Sequence, residues 1–175
     1  MNHICKLFYY ACLFVLSQSN FYIYAQPNSD HKANSLFRGR LNFEHYSTKQ
    51  GLSQNAVYAI LQDQKGFLWF GTQDGLNRFN GYEFTAFHHN AFDTTSLCHS
   101  YVNGLYQDSK ERFWVCTEGG LALYNPLTEA FTNFLHDDTN PQSIKDNYVW
   151  TIHEDSKGTL WVGTRKGLCR FDPDN

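Results

Sequence analysis

The feature that most constrains this chain is a threefold internal repeat. Three segments align without gaps: AVYAILQDQKGFLWFGTQDGLNRFN from Ala56, YVNGLYQDSKERFWVCTEGGLALYN from Tyr101 and YVWTIHEDSKGTLWVGTRKGLCRFD from Tyr148. Equivalent positions are separated by 45 and then 47 residues. The positions that recur in step are Asp63, Asp108 and Asp155; Trp69, Trp114 and Trp161; Thr72, Thr117 and Thr164; and Gly75, Gly120 and Gly167. A period in the mid-forties is that of one four-stranded propeller blade.

Each unit contains the pattern of four short strands. In the first copy, apolar alternation from Val57 to Asp63 predicts one strand, and the segments Phe67 to Thr72, Leu76 to Phe79 and Glu83 to Phe87 predict three more. The turn signals Lys65-Gly66 and Asn80-Gly81 separate them. A further strand is expected around Phe43, in the position that ring closure uses in propellers. Counted along the chain, these elements predict twelve strands in about three blades of an incomplete all-β propeller.

The repeated residues are expected to be structural. The Asp at the strand end can accept hydrogen bonds from the amides of the following turn, and the Trp places a large flat group where one sheet packs on the next. The second copy departs at two positions: Glu111 replaces the turn glycine, and Cys116 replaces the glycine after the tryptophan. We therefore expect a looser hairpin in that blade.

The first 25 residues have the pattern of a secretory signal peptide. Ten apolar or aromatic residues from Leu7 to Leu16 are too few to span a membrane, and a short segment ends at Ala25. Residues 26–40 are then expected to be a linker and residues 41–175 the partial propeller, with units at about 52–88, 97–136 and 144–172. The mature segment should be periplasmic or otherwise extracytoplasmic, without membrane contact.

The formal net charge of −3, with 18% charged residues, argues against a nucleic-acid partner. Three cysteines follow the leader, Cys98, Cys116 and Cys169, and an odd number cannot be fully bridged. Isolated small buried side chains are favoured over a disulfide framework or a metal site. His88 and His89 fall in a connecting loop, and His99, His136 and His153 occupy what we interpret as different repeat positions, so no metal cluster or cofactor is predicted.

The segments DQKGFLWFGTQDGLNRF, DSKERFWVCTEGGLALY and DSKGTLWVGTRKGLCRF resemble the two-component regulator propeller repeat, and LSQNAVYAI at Leu52 to Ile60 resembles its blade opening. The resemblance implies the start of the periplasmic sensor region of a bacterial hybrid two-component system histidine kinase. Such proteins commonly respond to carbohydrate fragments. The kinase domain of that family is not within this sequence, so the chain itself is expected to be noncatalytic.

Ligand contacts are expected in the loops that join strands two and three and those that join successive blades, because these loops share one face of a propeller. Function on a rigid scaffold belongs to such loops. The candidate residues for an oligosaccharide ligand are Gln73, Asp74, Glu118, Arg165, Lys166, Tyr101 and Tyr148, with Trp150 near them.

Two other functions stay open at this point. A secreted propeller hydrolase or lyase acting on glycans would need a convergent carboxylate, arginine or metal cluster. An oligomerising interaction module would complete its ring with another copy of the chain instead of with further blades, because a three-bladed arc has exposed edges.

Overall fold

The computed structural model describes residues 42–173, so the expected signal peptide (1–25) and linker (26–40) lie outside the described residues. The description below concerns the unit His45–Asn175 and the described residues 42–44 before it. Its strands form three antiparallel sheets, which we call blades 1, 2 and 3. The strands are β1 Val57–Gln62, β2 Leu68–Thr72, β3 Gly75–Phe79, β4 Phe84–Phe87, β5 Val102–Gln107, β6 Phe113–Thr117, β7 Gly120–Asn125, β8 Ala130–Phe134, β9 Val149–Glu154, β10 Leu160–Thr164 and β11 Gly167–Phe171. The predicted all-β propeller fold is confirmed.

Each blade has a front and a back face because side chains alternate along its strands. The back face carries the repeated tryptophan, and the front face carries the apolar residues on either side of it in the same strand. The back of blade 1, with Trp69 and Leu76, packs on the front of blade 2, with Val102, Phe113 and Val115. The back of blade 2 packs on the front of blade 3 in the same way, through Trp114, Leu121, Val149, Leu160 and Val162. Trp69 and Trp114 therefore lie between sheets, as their size predicted.

The repeated Asp ties the turn between the first two strands to the tryptophan. In blade 1, Oδ1 of Asp63 accepts hydrogen bonds from the amides of Lys65 and Phe67, both at 2.9 Å, while Oδ2 accepts one from Nε1 of Trp69 at 2.8 Å. The equivalent bonds form around Asp108 and Asp155. This residue thus orients the large ring that fills the space between blades.

The hairpin of blade 2 is not looser than the others. Glu111 adopts the left-handed conformation (φ 63°) that Gly66 and Gly158 adopt in the other blades (φ 90° and 80°). Its amide donates to the Asp108 carbonyl at 2.9 Å, as the Gly66 amide does to that of Asp63 at 3.0 Å. The Asp-centred bonds preserve the turn, so the cost of a side chain at this position is backbone strain.

The expectation of a strand around Phe43 is wrong. Residues 42–47 have no regular structure, and a 3-10 helix follows at Thr48–Gln50. A strand needs a hydrogen-bonding neighbour, and no described strand pairs with this segment. Tyr46 instead contacts the rings of Phe79 and Phe84 edge-on. The described residues consequently contain eleven strands, with four, four and three in successive blades.

A histidine closes each of the two loops that join successive blades. His89 and His136 are equivalent residues of the two loops that join successive blades. Nδ1 of His89 is 2.8 Å from the Leu97 carbonyl oxygen, and Nδ1 of His136 is 2.6 Å from that of Ile144. Both imidazoles therefore close their own loop, and the loops have the same fold although their sequences differ.

Candidate functional site

The loops expected to share one face of the propeller do meet there. The turns between strands two and three lie against the segments that enter each blade. The Glu118 amide donates to the Tyr101 carbonyl at 3.1 Å in blade 2, and the Arg165 amide donates to the Tyr148 carbonyl at 3.0 Å in blade 3. Backbone hydrogen bonds thus hold these variable side chains in place on the loop ends.

A β-bulge at the same position of each innermost strand shapes this face. The pairing register shifts between Val57 and Ala59 in β1, between Val102 and Gly104 in β5, and around the equivalent residue of β9. The extra residues are Tyr58, Asn103 and Trp150. Bulges redirect side chains and occur next to binding sites, and here they leave Tyr58 and Trp150 about half exposed, at 50% and 51%.

The bulges and loop ends bring together a group that we call the rim cluster. The rings of Tyr58 and Tyr101 are 5.0 Å apart, and those of Tyr148 and Trp150 are 4.5 Å apart. The Tyr148 hydroxyl donates to Oε1 of Glu118 at 2.7 Å, and the guanidinium of Arg165 lies 5.4 Å from the Tyr148 ring centre. The rim cluster consists of Tyr58, Tyr101, Glu118, Tyr148, Trp150 and Arg165.

Two tyrosines of the rim cluster have raised pKa values because of their neighbours. Hydrogen bonding to Tyr58, with smaller contributions from burial and from nearby Glu118 and Tyr148, raises the pKa of Tyr101 to about 12. The hydrogen bond to Glu118 also raises the pKa of Tyr148 above its ordinary value. A phenol is protonated at neutral pH even at its ordinary pKa, and the single O–H of Tyr148 is already donated to Glu118.

A buried carboxylate anchors the cationic end of the site. Asp146 is 5% exposed, and its Oδ1 accepts the Tyr148 amide at 2.8 Å. Its Oδ2 lies 3.5 Å from Nη2 of Arg165 and 3.7 Å from Nζ of Lys166. The Tyr148 amide, followed by these two cations, lowers the pKa of Asp146. The charge of Asp146 therefore holds Arg165 and Lys166 on the same side of blade 3.

Five of the seven predicted ligand residues lie in or beside the rim cluster: Glu118, Arg165, Lys166, Tyr101 and Tyr148. Asp74 instead faces His88, with 3.5 Å between Oδ1 and Nδ1, and no contact brings Gln73 or Asp74 to the described tyrosines. Sequence reasoning missed Tyr58 and Asp146. Tyr58 could have been found from the sequence, because it is an aromatic residue at the start of the first predicted strand. Nothing in the sequence pattern distinguished Asp146 from a solvated loop residue.

The rim cluster brings together side chains of the kinds that bind polar ligands. It offers two aromatic faces, phenol oxygens, a carboxylate acceptor and a guanidinium, which together suit a polar ligand with flat apolar patches. In residues 42–173, no group of three or more His, Cys, Asp and Glu side chains is placed to hold a metal ion. Within the same range, no helix has the length and apolar character needed to cross a membrane.

The fold defines the chain as a propeller-repeat protein. The model of the two-component regulator propeller matches residues 51–74, 96–119 and 143–166, one match in each blade. The chain belongs to the two-component regulator propeller family, and the expected resemblance is confirmed.

Solved and curated relatives point the same way. The extracellular domain of BT3049 from B. thetaiotaomicron, assigned to the hybrid two-component systems, is 32% identical with a TM-score of 0.69, over 74% of this chain and 19% of that one. The extracellular domain of BT4673 from the same organism is 28% identical with a TM-score of 0.62, over 77% and 19%. Histidine kinase P4 of Formosa agariphila is 46% identical over 55 residues, which are 31% of this chain and 4% of that protein. The chain thus spans about a fifth of its solved relatives' length.

Proposed function

We propose that this chain is a noncatalytic, extracytoplasmic ligand-sensing module of a hybrid two-component regulator, and that its ligand is a carbohydrate fragment. The observation that carries the proposal is the rim cluster, built at matching positions of three regulator propeller repeats. The extracytoplasmic location is supported by the two solved relatives, which are both extracellular domains.

Sugar chemistry matches the groups of the rim cluster. A pyranose ring presents a flat face of C–H groups that packs on an aromatic ring, and its hydroxyls both donate and accept hydrogen bonds. Trp150 offers the exposed ring. Glu118 offers acceptors, and the Arg165 guanidinium offers donors beside it.

The position of the cluster also suits signalling. Its contacts cross from blade to blade, since Tyr58 of blade 1 meets Tyr101 of blade 2 and Glu118 of blade 2 meets Tyr148 of blade 3. A ligand bound there would favour one relative arrangement of neighbouring blades, and differential affinity for two arrangements is what a signal requires. The cytoplasmic kinase that would receive this signal belongs to the complete regulator.

The glycan hydrolase or lyase alternative has weaker support. Acid-base cleavage of a glycosidic bond commonly needs two carboxyl groups flanking the bond. In the rim cluster, Glu118 already accepts a hydrogen bond from Tyr148, and the nearby Asp146 is buried and faces two cations. Neither carboxylate is placed as such a pair.

The test is calorimetric titration of the purified chain with a panel of neutral and uronate-containing di- to hexasaccharides. We expect at least one member to bind, and Trp150→Ala to weaken binding by about tenfold or more because the stacking surface is lost. Tyr82→Ala is the matched control, because Tyr82 is an exposed aromatic residue (95%) in the β3–β4 hairpin, outside the rim cluster.

Chromatography of the same mixtures separates sensing from catalysis. Unchanged oligosaccharides after prolonged incubation agree with a sensor, whereas shortened or unsaturated products would favour the enzyme. Binding that survives both Trp150→Ala and Arg165→Ala, or no binding by any sugar of the panel, would refute the proposed site.

A further inference from the structure

Two sheet faces of the described chain have no neighbouring blade. The front face of blade 1 is an apolar groove of about 190 Å³ lined mainly by Val57, Ile60, Leu68, Phe70, Phe79 and Phe84. The back face of blade 3 carries Trp161 and Leu168, and Leu168 is 66% exposed. The two interfaces already formed inside the molecule show what each face requires of a partner.

The interface between blades 1 and 2 matches an arginine with a hydroxyl and a carboxylate. Arg78 is on the back of β3, and its Nη1 lies 3.2 Å from the Tyr124 hydroxyl and 2.8 Å from Oε1 of Glu129. Its guanidinium also lies 5.3–5.7 Å from the ring centres of Phe67, Trp69 and Phe87. The Arg78 side chain is 21% exposed, and blade 2 supplies the two oxygen partners of its Nη1.

The interface between blades 2 and 3 replaces both partners by apolar residues. Leu123 occupies the repeat position of Arg78, and Phe171 occupies that of Tyr124. Both pack against the apolar cluster around Trp114. At this position, arginine on a back face contacts tyrosine of the next front face in one interface, and leucine shares an apolar cluster with phenylalanine in the other.

The open faces do not match each other in either way. Arg170 has the Arg78 position on the back of blade 3 and is exposed. Phe79 has the Tyr124 position on the front of blade 1, where it lines the apolar groove. A second copy packed head to tail would cover Arg170 with a phenylalanine, leaving its donors without the hydroxyl that Arg78 receives. Desolvating an unmatched guanidinium is costly.

We infer that the back face of blade 3 docks a further blade of the same repeat, one that presents a tyrosine hydroxyl from its third strand and a carboxylate from the turn after it, and that a second copy of this chain does not fit. The relatives leave room for such a blade, because this chain spans 19% of their length. The inference concerns packing and stands whether or not the rim cluster binds a sugar.

The direct test extends the chain with its own sequence. A copy of residues 81–134 joined after Asp172 supplies the fourth strand of blade 3 and a second version of blade 2, including Tyr124 and Glu129. The matched control carries Tyr124→Phe and Glu129→Gln in the added copy alone. We expect the first extension to melt about 4 °C or more above the control.

Arg170→Leu should reverse the order of the two melting temperatures, because a leucine at position 170 matches the phenylalanine of the control extension. The inference is overturned if both extensions melt together with Arg170 present, or if Arg170→Leu leaves their order unchanged. An extension that fails to fold in both forms is replaced by the association measurement below, which uses the unextended chain.

Sedimentation of the unextended chain tests the excluded partner. Arg170→Leu and Phe79→Tyr each create a matched pair between copies, so each should tighten head-to-tail association by about tenfold relative to the parent chain. Combining the two changes places a leucine against a tyrosine, which is again a mismatch, and should cancel the gain in association. Lys157→Leu, an added leucine in an exposed turn, controls for general stickiness. A parent chain that dimerises as tightly as Arg170→Leu would overturn the inference.

Discussion

Blades 2 and 3 carry the same repeat in different surroundings. Trp114 and Leu121 on the back of blade 2 are fully buried, whereas Trp161 is only partly buried and Leu168 is 66% exposed at the equivalent positions of blade 3. The hydrogen bonds are nevertheless the same, since Nε1 of each tryptophan donates to its Asp at 2.8 and 2.9 Å. The repeat thus sets the conformation of a blade, while its neighbours decide how much that conformation contributes to stability.

The largest test of this comparison removes the two tryptophans. Trp114→Ala should lower the free energy of unfolding by about 3–5 kcal/mol, because it opens a cavity in a fully packed interface. Trp161→Ala should cost about 1–2 kcal/mol, because solvent already reaches that face. Urea unfolding followed by circular dichroism measures both. Equal losses would mean that the tryptophan acts within its own blade and that packing between blades contributes little. If Trp114→Ala does not fold, Trp114→Phe and Trp161→Phe can be compared instead. The difference in their losses of unfolding free energy should have the same sign and be smaller.

A smaller effect is expected from exchanging one interface type for the other. Arg78→Leu should cost about 2 kcal/mol, because it leaves the Tyr124 hydroxyl and Glu129 without their partner. Tyr124→Phe should cost about 1 kcal/mol, and the double variant should recover about 1 kcal/mol relative to the sum of the single changes. The partial exposure of the pair, 21% for Arg78 and 51% for Glu129, limits these values through solvent screening. Strict additivity in thermal unfolding would show that the two positions are independent.

The smallest effect concerns the turn that differs between the blades. Glu111→Gly should raise the free energy of unfolding by about 0.5 kcal/mol, because it relieves a left-handed glutamate while adding the entropy cost of glycine. Gly158→Ala, at the same position of blade 3, should lower it by about 1 kcal/mol for the opposite reason. The comparison fails if Glu111→Gly destabilises the chain, since Glu111 would then provide a contact that outweighs its strain.

Much of the fold could be predicted from residue spacing. The Asp, Trp and Gly positions recur with the period of a blade, and strand pairing and Asp–Trp hydrogen bonds depend mainly on residues within a single unit. Prediction was wrong where a partner beyond the unit was needed: the Phe43 segment resembles a closing strand, but without a hydrogen-bonding neighbour it remains irregular.

Of the site, the sequence indicated the loop ends but not the contacts. Glu118, Arg165 and Tyr148 could be chosen because variable loop residues of propellers share one face. The bulges that expose Tyr58 and Trp150 could not be predicted. A bulge depends on the pairing register between two strands and leaves the alternation within one strand unchanged. The equivalence of His89 and His136 was hidden by loops that share few identities.

The sequence by itself determined the kind of blade this chain makes, because each unit contains its own turns, strand pattern and Asp–Trp pair. Only the tertiary structure decided which tryptophans are buried and which tyrosines lie against each other. It also decided that Arg78 contacts Tyr124 while Arg170 is exposed to solvent. The physical reason is that local hydrogen bonds depend on residues close in the chain, whereas desolvation and charge pairing depend on what another blade brings to the surface.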